Sequence, residues 1–199
     1  MNSLTDIYTN SFFKTRKSLN WRNPLVCDPI IEVLNPYSVV DVGCGDGAFV
    51  KYFNDKGILS YGIEGSATAF PHMYDARQFV DCHDLRTPIP KDFFNEYQFD
   101  LCMSLEVAEH IEPEYVDIYV DTLCGLSSKV LLSAAPPGQG GTGHYNCQPT
   151  EYWDNKFIDR GYVKRPSVRL KLRQAWEPYA KKKGISAYWQ NILYYESAK

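Results

Sequence analysis

Glu106, Glu109 and His110 stand at positions i, i+3 and i+4 of the run Leu105-Glu106-Val107-Ala108-Glu109-His110-Ile111. In a helical turn that spacing gathers all three side chains on one face. Two readings fit such a group. Glu106 and His110 can pair electrostatically while Glu109 stays solvated, or the three can ligate a divalent cation. Two hard oxygen donors and one borderline nitrogen suit Mg²⁺ or Mn²⁺ better than a thiolate-rich structural zinc site. His144, in Gly143-His144-Tyr145-Asn146, follows the next apolar strand and reaches the same mouth if the two strands are neighbours. A ring nitrogen of His110 or His144 left unligated is a candidate general base.

A second group lies upstream. Val39-Val40-Asp41-Val42-Gly43-Cys44-Gly45-Asp46-Gly47 reads as a buried strand that ends in an acid and a glycine-studded turn. Gly43, Gly45 and Gly47 let the backbone bend tightly and come close to a ligand, since no Cβ intervenes. The turn presents free N–H groups at the start of a helix, which suits a polar, nucleotide-like ligand. The pattern is D-x-G-x-G-x-G. It matches neither the dinucleotide fingerprint nor the P-loop, and no Lys-Ser or Lys-Thr follows, so a pyrophosphate cradle is the weaker reading. Glu64, at the tip of the second strand about 20 residues on, can accept both hydroxyls of a ribose. A third strand runs into Cys82-His83-Asp84-Leu85.

These residues, in this order over 38–135, resemble the class I S-adenosylmethionine-dependent methyltransferases. The resemblance implies a doubly wound, Rossmann-like α/β fold whose seven-stranded sheet has its last strand antiparallel and inserted near the edge. It implies that Asp41 and the Gly43 carbonyl hold the methionine ammonium, that Gly45 and Gly47 shape the cradle, and that Glu64 takes the ribose. Asp84 would accept the adenine amino group, and Ser104, in the fourth strand, joins the cofactor set. E-x-x-E-H with a later His is similar to the small-RNA 3′-terminal 2′-O-methyltransferases and the ubiquinone-pathway catechol O-methyltransferases. Carried over, Glu106, Glu109, His110 and His144 become metal ligands, with Glu109, His110 and His144 counted as catalytic. The run Gln148–Trp153 is similar to bacterial and viral glycan-modifying methyltransferases. The implied acceptor is a vicinal diol on a sugar or glycan. A catechol-like small molecule, an RNA end, and a non-catalytic cofactor-binding subunit are the alternatives, and a nucleotide-dependent oxidoreductase is a further rival.

The elements that must position these groups follow from patterning. Strand-like runs at Ser38–Val42, Leu59–Ile63, Gln78–Asp81, Phe99–Ser104, Lys129–Ala134, Tyr162–Arg165 and Gln190–Glu196 alternate with helical ones at Ala48–Asp55, Ala67–Tyr74, Pro113–Leu126, Pro149–Asp159 and Leu170–Lys182. Alternation of this kind predicts βαβ units and a parallel sheet. The 199 residues read as one domain, with an N-terminal extension over 1–35 helical in Leu4–Lys17 and a core over 36–199. Tyr8, Phe12, Phe13 and Trp21 of the extension either cover the cofactor or pack as an ordinary aromatic face. Pro136–Gly143 is a glycine-rich loop, a candidate lid. Tyr145, Tyr152, Trp153, Trp176 and Trp189 are candidate stacking partners for a sugar or are packed apart from it.

Composition narrows the class. Hydrophobic residues make up 44% and charged residues 23%, with no apolar run long enough to span a membrane and no signal-peptide core at the start. A cytoplasmic location is the expectation. Six scattered cysteines with no C-x-x-C pair argue against a zinc site or a disulfide framework. The net charge is −3, yet Arg160–Lys183 carries nine basic residues against Glu177. That stretch is a solvated helix face or a patch for an anionic substrate. The acidic total and the lack of a separate RNA-binding module weigh against nucleic acid.

Overall fold

A computed structural model describes residues 7–90, 92–95, 97–182 and 185–198. Its centre is a seven-stranded sheet in the order β3-β2-β1-β4-β5-β7-β6. The strands are β1 (Ser38–Val42), β2 (Leu59–Glu64), β3 (Val80–Cys82), β4 (Leu101–Leu105), β5 (Lys129–Ser133), β6 (Tyr162–Lys164) and β7 (Ile192–Ser197). The first five run parallel, and β7 lies antiparallel between β5 and β6. Strand order reverses between β1 and β4, which opens a crevice at their carboxyl ends. The expected sheet, with its inverted last strand, is the one observed.

Burial on both faces explains the continuous apolar runs. Every residue of β1 and β4 is buried, as strands sandwiched between helix layers must be. Alternate residues feed opposite layers: Val40, Val42 and Cys102 pack with α4 (Val116–Leu126) and α5 (Thr150–Ile158). Val39, Leu101 and Met103 pack with α2 (Asn23–Leu34), α3 (Ala48–Asp55), α6 (Pro166–Trp176) and α7 (Ser186–Asn191). The fully buried Trp176 ties α6 to α2, its Nε1 donating to the Val26 carbonyl at 3.1 Å.

A third, smaller cluster docks α1 (Asn10–Lys17) beside the crevice. Phe13 of α1 is 2% exposed there against Cys44, Val50, Ala69, Met73 and Val80. Leu4–Asp6 of the expected helix lie outside the described residues, and Thr9 caps the helix by accepting from Phe12 N.

The extension holds a further helix, Asn23–Leu34, that accommodates Pro24 and Pro29. Pro24 sits in the first turn, where no intrahelical donor is lost, and burial of Val26, Cys27 and Ile30 outweighs the missing bond at Pro29. Ala67–Tyr74 is replaced by two 3₁₀ stretches, Ala67–His72 and Tyr74–Phe79, the first carrying Pro71. The basic helix begins earlier and ends sooner than Leu170–Lys182, at Pro166–Trp176, because Pro166 starts it and Pro178 follows its end. Short α7 takes the residues before Ile192, so β7 starts later than expected.

Candidate active site

The crevice holds a cleft of about 740 Å³ bounded by the glycine turn, the ends of β2 and β4, and α1. Gly43, Gly45 and Gly47 all have positive φ (80°, 62° and 72°). A Cβ on Gly43 would lie 2.5 Å from Val107, so both backbone and space require glycine there. Glu64, at the end of β2, is clamped in place: Oε2 accepts from Gly45 N at 2.8 Å and Oε1 from Ser66 N at 2.7 Å. Burial raises its pKa against those donors. Each oxygen retains a lone pair toward the cleft.

Asp41 lies fully buried beneath the turn, and its Oδ2 has no hydrogen-bond partner. Burial pushes its pKa up to about 8. Arg16 of α1 lines the cleft, 5.6 Å over the Phe12 ring, and its charge opposes both acid shifts. Asp84 also lines the cleft, but its carboxylate is gripped bidentately by Arg86 at 2.7–3.2 Å, which holds its pKa below the ordinary carboxylate value.

At the exit of β4 the three-residue 3₁₀ turn Ala108–His110 brings Glu109 and His110 against His144. Ligand atoms of these three lie within 4.8 Å of one another. Glu109 is 0% exposed and neither carboxylate oxygen has a hydrogen-bond partner. Burial, with Glu106 nearby, lifts its pKa to about 8, and the main-chain amides of Glu109 and Ala135 lie close enough to oppose the rise. The two imidazoles are oriented by main-chain carbonyls. His110 Nδ1 meets Gly143 O at 2.9 Å, and His144 Nδ1 meets Gln139 O at 3.1 Å. A carbonyl only accepts, so each Nδ1 carries the proton and each Nε2 offers a lone pair. Burial, above all, lowers the His110 pKa to about 4, which keeps the ring neutral. A buried carboxylate without a charged partner, beside two imidazoles oriented by main-chain carbonyls, suits a divalent cation.

The loop after β5 is part of this construction. Tyr145 N and Asn146 N both donate to Glu109 O at 2.9 Å. A Cβ on Gly141 would lie 2.1 Å from His144 Nε2. The candidate lid Pro136–Gly143 is thus tied to the site by the bonds that hold the histidines.

Residues 40–122 match the family model described as "Methyltransferase domain". Solved structures share the fold. The plantazolicin methyltransferase BamL, solved with SAH, aligns at 15% identity and a TM-score of 0.62, over 96% of this chain and 90% of that one. Magnesium protoporphyrin IX methyltransferase from Synechocystis PCC 6803, solved with SAM, aligns at 17% identity and a TM-score of 0.62, over 98% and 89%. The methyltransferase domain of bacterial CtHen1 aligns at 17% identity and a TM-score of 0.54, over 73% and 88%. No curated protein matches the chain. The glycine turn, Glu64, Asp84 and Glu109 all fall within the matched residues.

The match marks a methyltransferase domain within the chain, and the solved structures share its fold.

Several expected residues sit elsewhere than the sequence implied. Ser104 is 0% exposed; its Oγ donates to Val42 O and accepts from Tyr119 OH, both at 2.7 Å, so it serves the core and does not line the cleft. Glu106 lies outside the Glu109–His110–His144 group. Its φ of 58° breaks the helical run that was to align it, and its carboxylate accepts from Asn191 Nδ2 at 3.1 Å. Tyr8, Phe12 and Phe13 line the cleft, whereas Trp21 is 49% exposed away from it. Trp153 and Trp176 are buried, Trp189 packs under Arg173, and Tyr145 is half exposed beside His144. Arg16 and Arg86 escaped the sequence reading. A basic residue in an amphipathic helix carries no signal of what the helix covers.

Proposed function

We propose that the enzyme methylates one hydroxyl of a vicinal diol on a sugar or glycan, with a divalent metal held by Glu109, His110 and His144. The observation that carries this reading is the buried Glu109 carboxylate, with ligand atoms of His110 and His144 within 4.8 Å and His144 Nε2 at 4.0 Å from its Oε1. The donor set suits the group: a cation removes the penalty of the buried carboxylate, and two imidazoles with one carboxylate favour Mn²⁺ over Mg²⁺. A bound ion of this kind lowers the pKa of a hydroxyl that it holds. His110, kept neutral by burial, suits a ligand better than a general base, since its pKa near 4 leaves little proton affinity at neutral pH.

The donor side rests on the chain's own groups. Glu64 offers two acceptors for the ribose, the unpartnered Asp41 Oδ2 suits the methionine ammonium directly or through water, and Arg16 suits its carboxylate. Asp84, already held by Arg86, is the remaining acceptor for the adenine amino group. The plantazolicin and magnesium protoporphyrin methyltransferases of like fold act on dissimilar molecules, so the acceptor is argued from the Glu-His-His group alone.

Chelation tests the reading. EDTA is expected to abolish transfer of labelled methyl to diol-bearing sugars, and Mn²⁺ to restore it; Glu109→Gln should lose bound metal by elemental analysis and keep S-adenosylhomocysteine affinity. Full turnover after chelation, or an acceptor lacking adjacent hydroxyls methylated equally well, would remove the metal-diol reading and leave His144 as the candidate base.

A further inference from the structure

A second cleft, of about 330 Å³, lies beside the first between the ends of β5 and β7 and the start of α5. Gln148, Thr150, Trp153, Arg169, Gln190 and Asn191 supply its polar lining, and no carboxylate lines it among the described residues. Its character is that of an anion site. Arg169 is the cation. Its Nε donates to Ile192 O at 2.7 Å, which aims the guanidinium, while among the described residues no carboxylate lies within ion-pair distance.

The rest of the basic segment differs. Arg160 pairs with Asp117 and Asp121, Lys164 with Asp154, and Arg165 with Glu196, while Arg173 stacks on Trp189 at 4.3 Å. Arg169 is half-buried, and burial, then the nearby Arg173 charge, lowers its pKa against the pull of Asp154. Trp153 adds a second donor. It is 1% exposed, and its Nε1–H has no partner. A buried indole N–H left unpaired is costly, so a ligand or ordered water should complete it. A third contribution comes from α5, nine residues long, whose N-terminus opens at Thr150 without a side-chain cap.

The two clefts share a wall. Asn191 lines the second cleft, and its Nδ2 donates to Glu106, which lines the first. We propose that the second cleft binds an oxyanionic substituent of the methyl acceptor, a carboxylate or a phosphate, with Arg169 as its bidentate partner. This deepens the acceptor reading above and rests on it: a diol seated at Glu109 would carry its charged group past Glu106 and Asn191.

Inorganic phosphate and acetate are the probes, titrated into the full chain while the Trp153 indole N–H resonance, assigned with Trp153→Phe, is followed by NMR. Saturable movement of that resonance is expected, with Arg169→Gln weakening binding roughly tenfold or more and Arg173→Gln leaving it unchanged. Should Arg169→Gln not fold, Arg169→Lys keeps the charge and loses the fork, and a loss of roughly threefold is expected. Response to phosphate alone supports a phosphorylated acceptor, and response to acetate alone a carboxylated one. No movement with either ion, or equal losses in the Arg169 and Arg173 variants, overturns the proposal. S-adenosylhomocysteine affinity, measured in the same samples, separates this outcome from failure of the methyltransferase reading: absent cofactor binding would sink that reading and leave the anion titration to decide the second cleft.

Discussion

Glu64 accepts from two backbone N–H groups, so its removal does more than delete a ribose contact. Glu64→Ala leaves both donors unpaired, each costing about 1–3 kcal/mol. Cofactor affinity is expected to fall at least roughly tenfold by calorimetry, and unchanged affinity would remove the ribose assignment. Asp41 makes a pH prediction. Its pKa rises from 3.8 to about 8 on folding, so between those values the native state holds a proton that the unfolded chain has released. Stability therefore falls as pH rises across that window, by at most about 1.4 kcal/mol per pH unit for this group, and the decline ends above about pH 8. Urea titrations of wild type and Asp41→Asn should differ by that slope; parallel curves would mean that Asp41 is ionised in the free protein. Pairing with a cofactor ammonium should release the proton, seen as buffer-dependent binding heats near pH 6.

The glycine turn and α1 set the expectations at the scale of elements. Gly43 and Gly57 have almost equal positive φ, 80° and 79°, but a Cβ on Gly43 meets Val107 at 2.5 Å and one on Gly57 meets nothing within 4 Å. Gly57→Ala should cost about 1 kcal/mol from backbone strain alone. Gly43→Ala adds overpacking of about 1–3 kcal/mol, and urea unfolding gives the difference. Equal losses would place the whole effect in the backbone. Phe13 anchors α1 in a small cluster separate from the two main ones. Phe13→Ala should therefore release α1 and weaken cofactor binding while hydrogen exchange in β1 and β4 stays slow. Loss of protection throughout the sheet would show that α1 belongs to one cooperative core.

At the scale of the whole molecule, three of the nine basic residues of the segment, Arg160, Lys164 and Arg165, face acids of α4, α5 and β7, and the chain's net charge is −3, which weakens its long-range pull on a polyanion. Heparin retention should be lost below physiological salt, and retention well above it would revive a nucleic-acid acceptor. Among the described residues no helix is long and apolar enough to cross a membrane.

The doubly wound sheet was legible because its evidence is local. Five apolar runs punctuated by glycine turns permit little but a parallel sheet buried on both faces, and a chain reversal at β1 and β4 then places Gly43, Glu64, Asp84 and Glu109 at one edge. The resemblance carried the same four positions in order. The departures arose where distant packing overrode local signals. Glu106 leaves the metal group because its left-handed backbone turns it toward Asn191, a residue 85 positions away. Ser104 faces the core because Tyr119 occupies its hydroxyl.

Spacing alone determined the cradle and the presence of acids and imidazoles near it, since glycine geometry and strand-end placement are set within a few residues. Which of those groups converge, which ring nitrogens meet carbonyls, and which of the described arginines find an acid were decided only in three dimensions. Each depends on carbonyls, amides and carboxylates brought in from remote segments, and burial sets the value of every such contact.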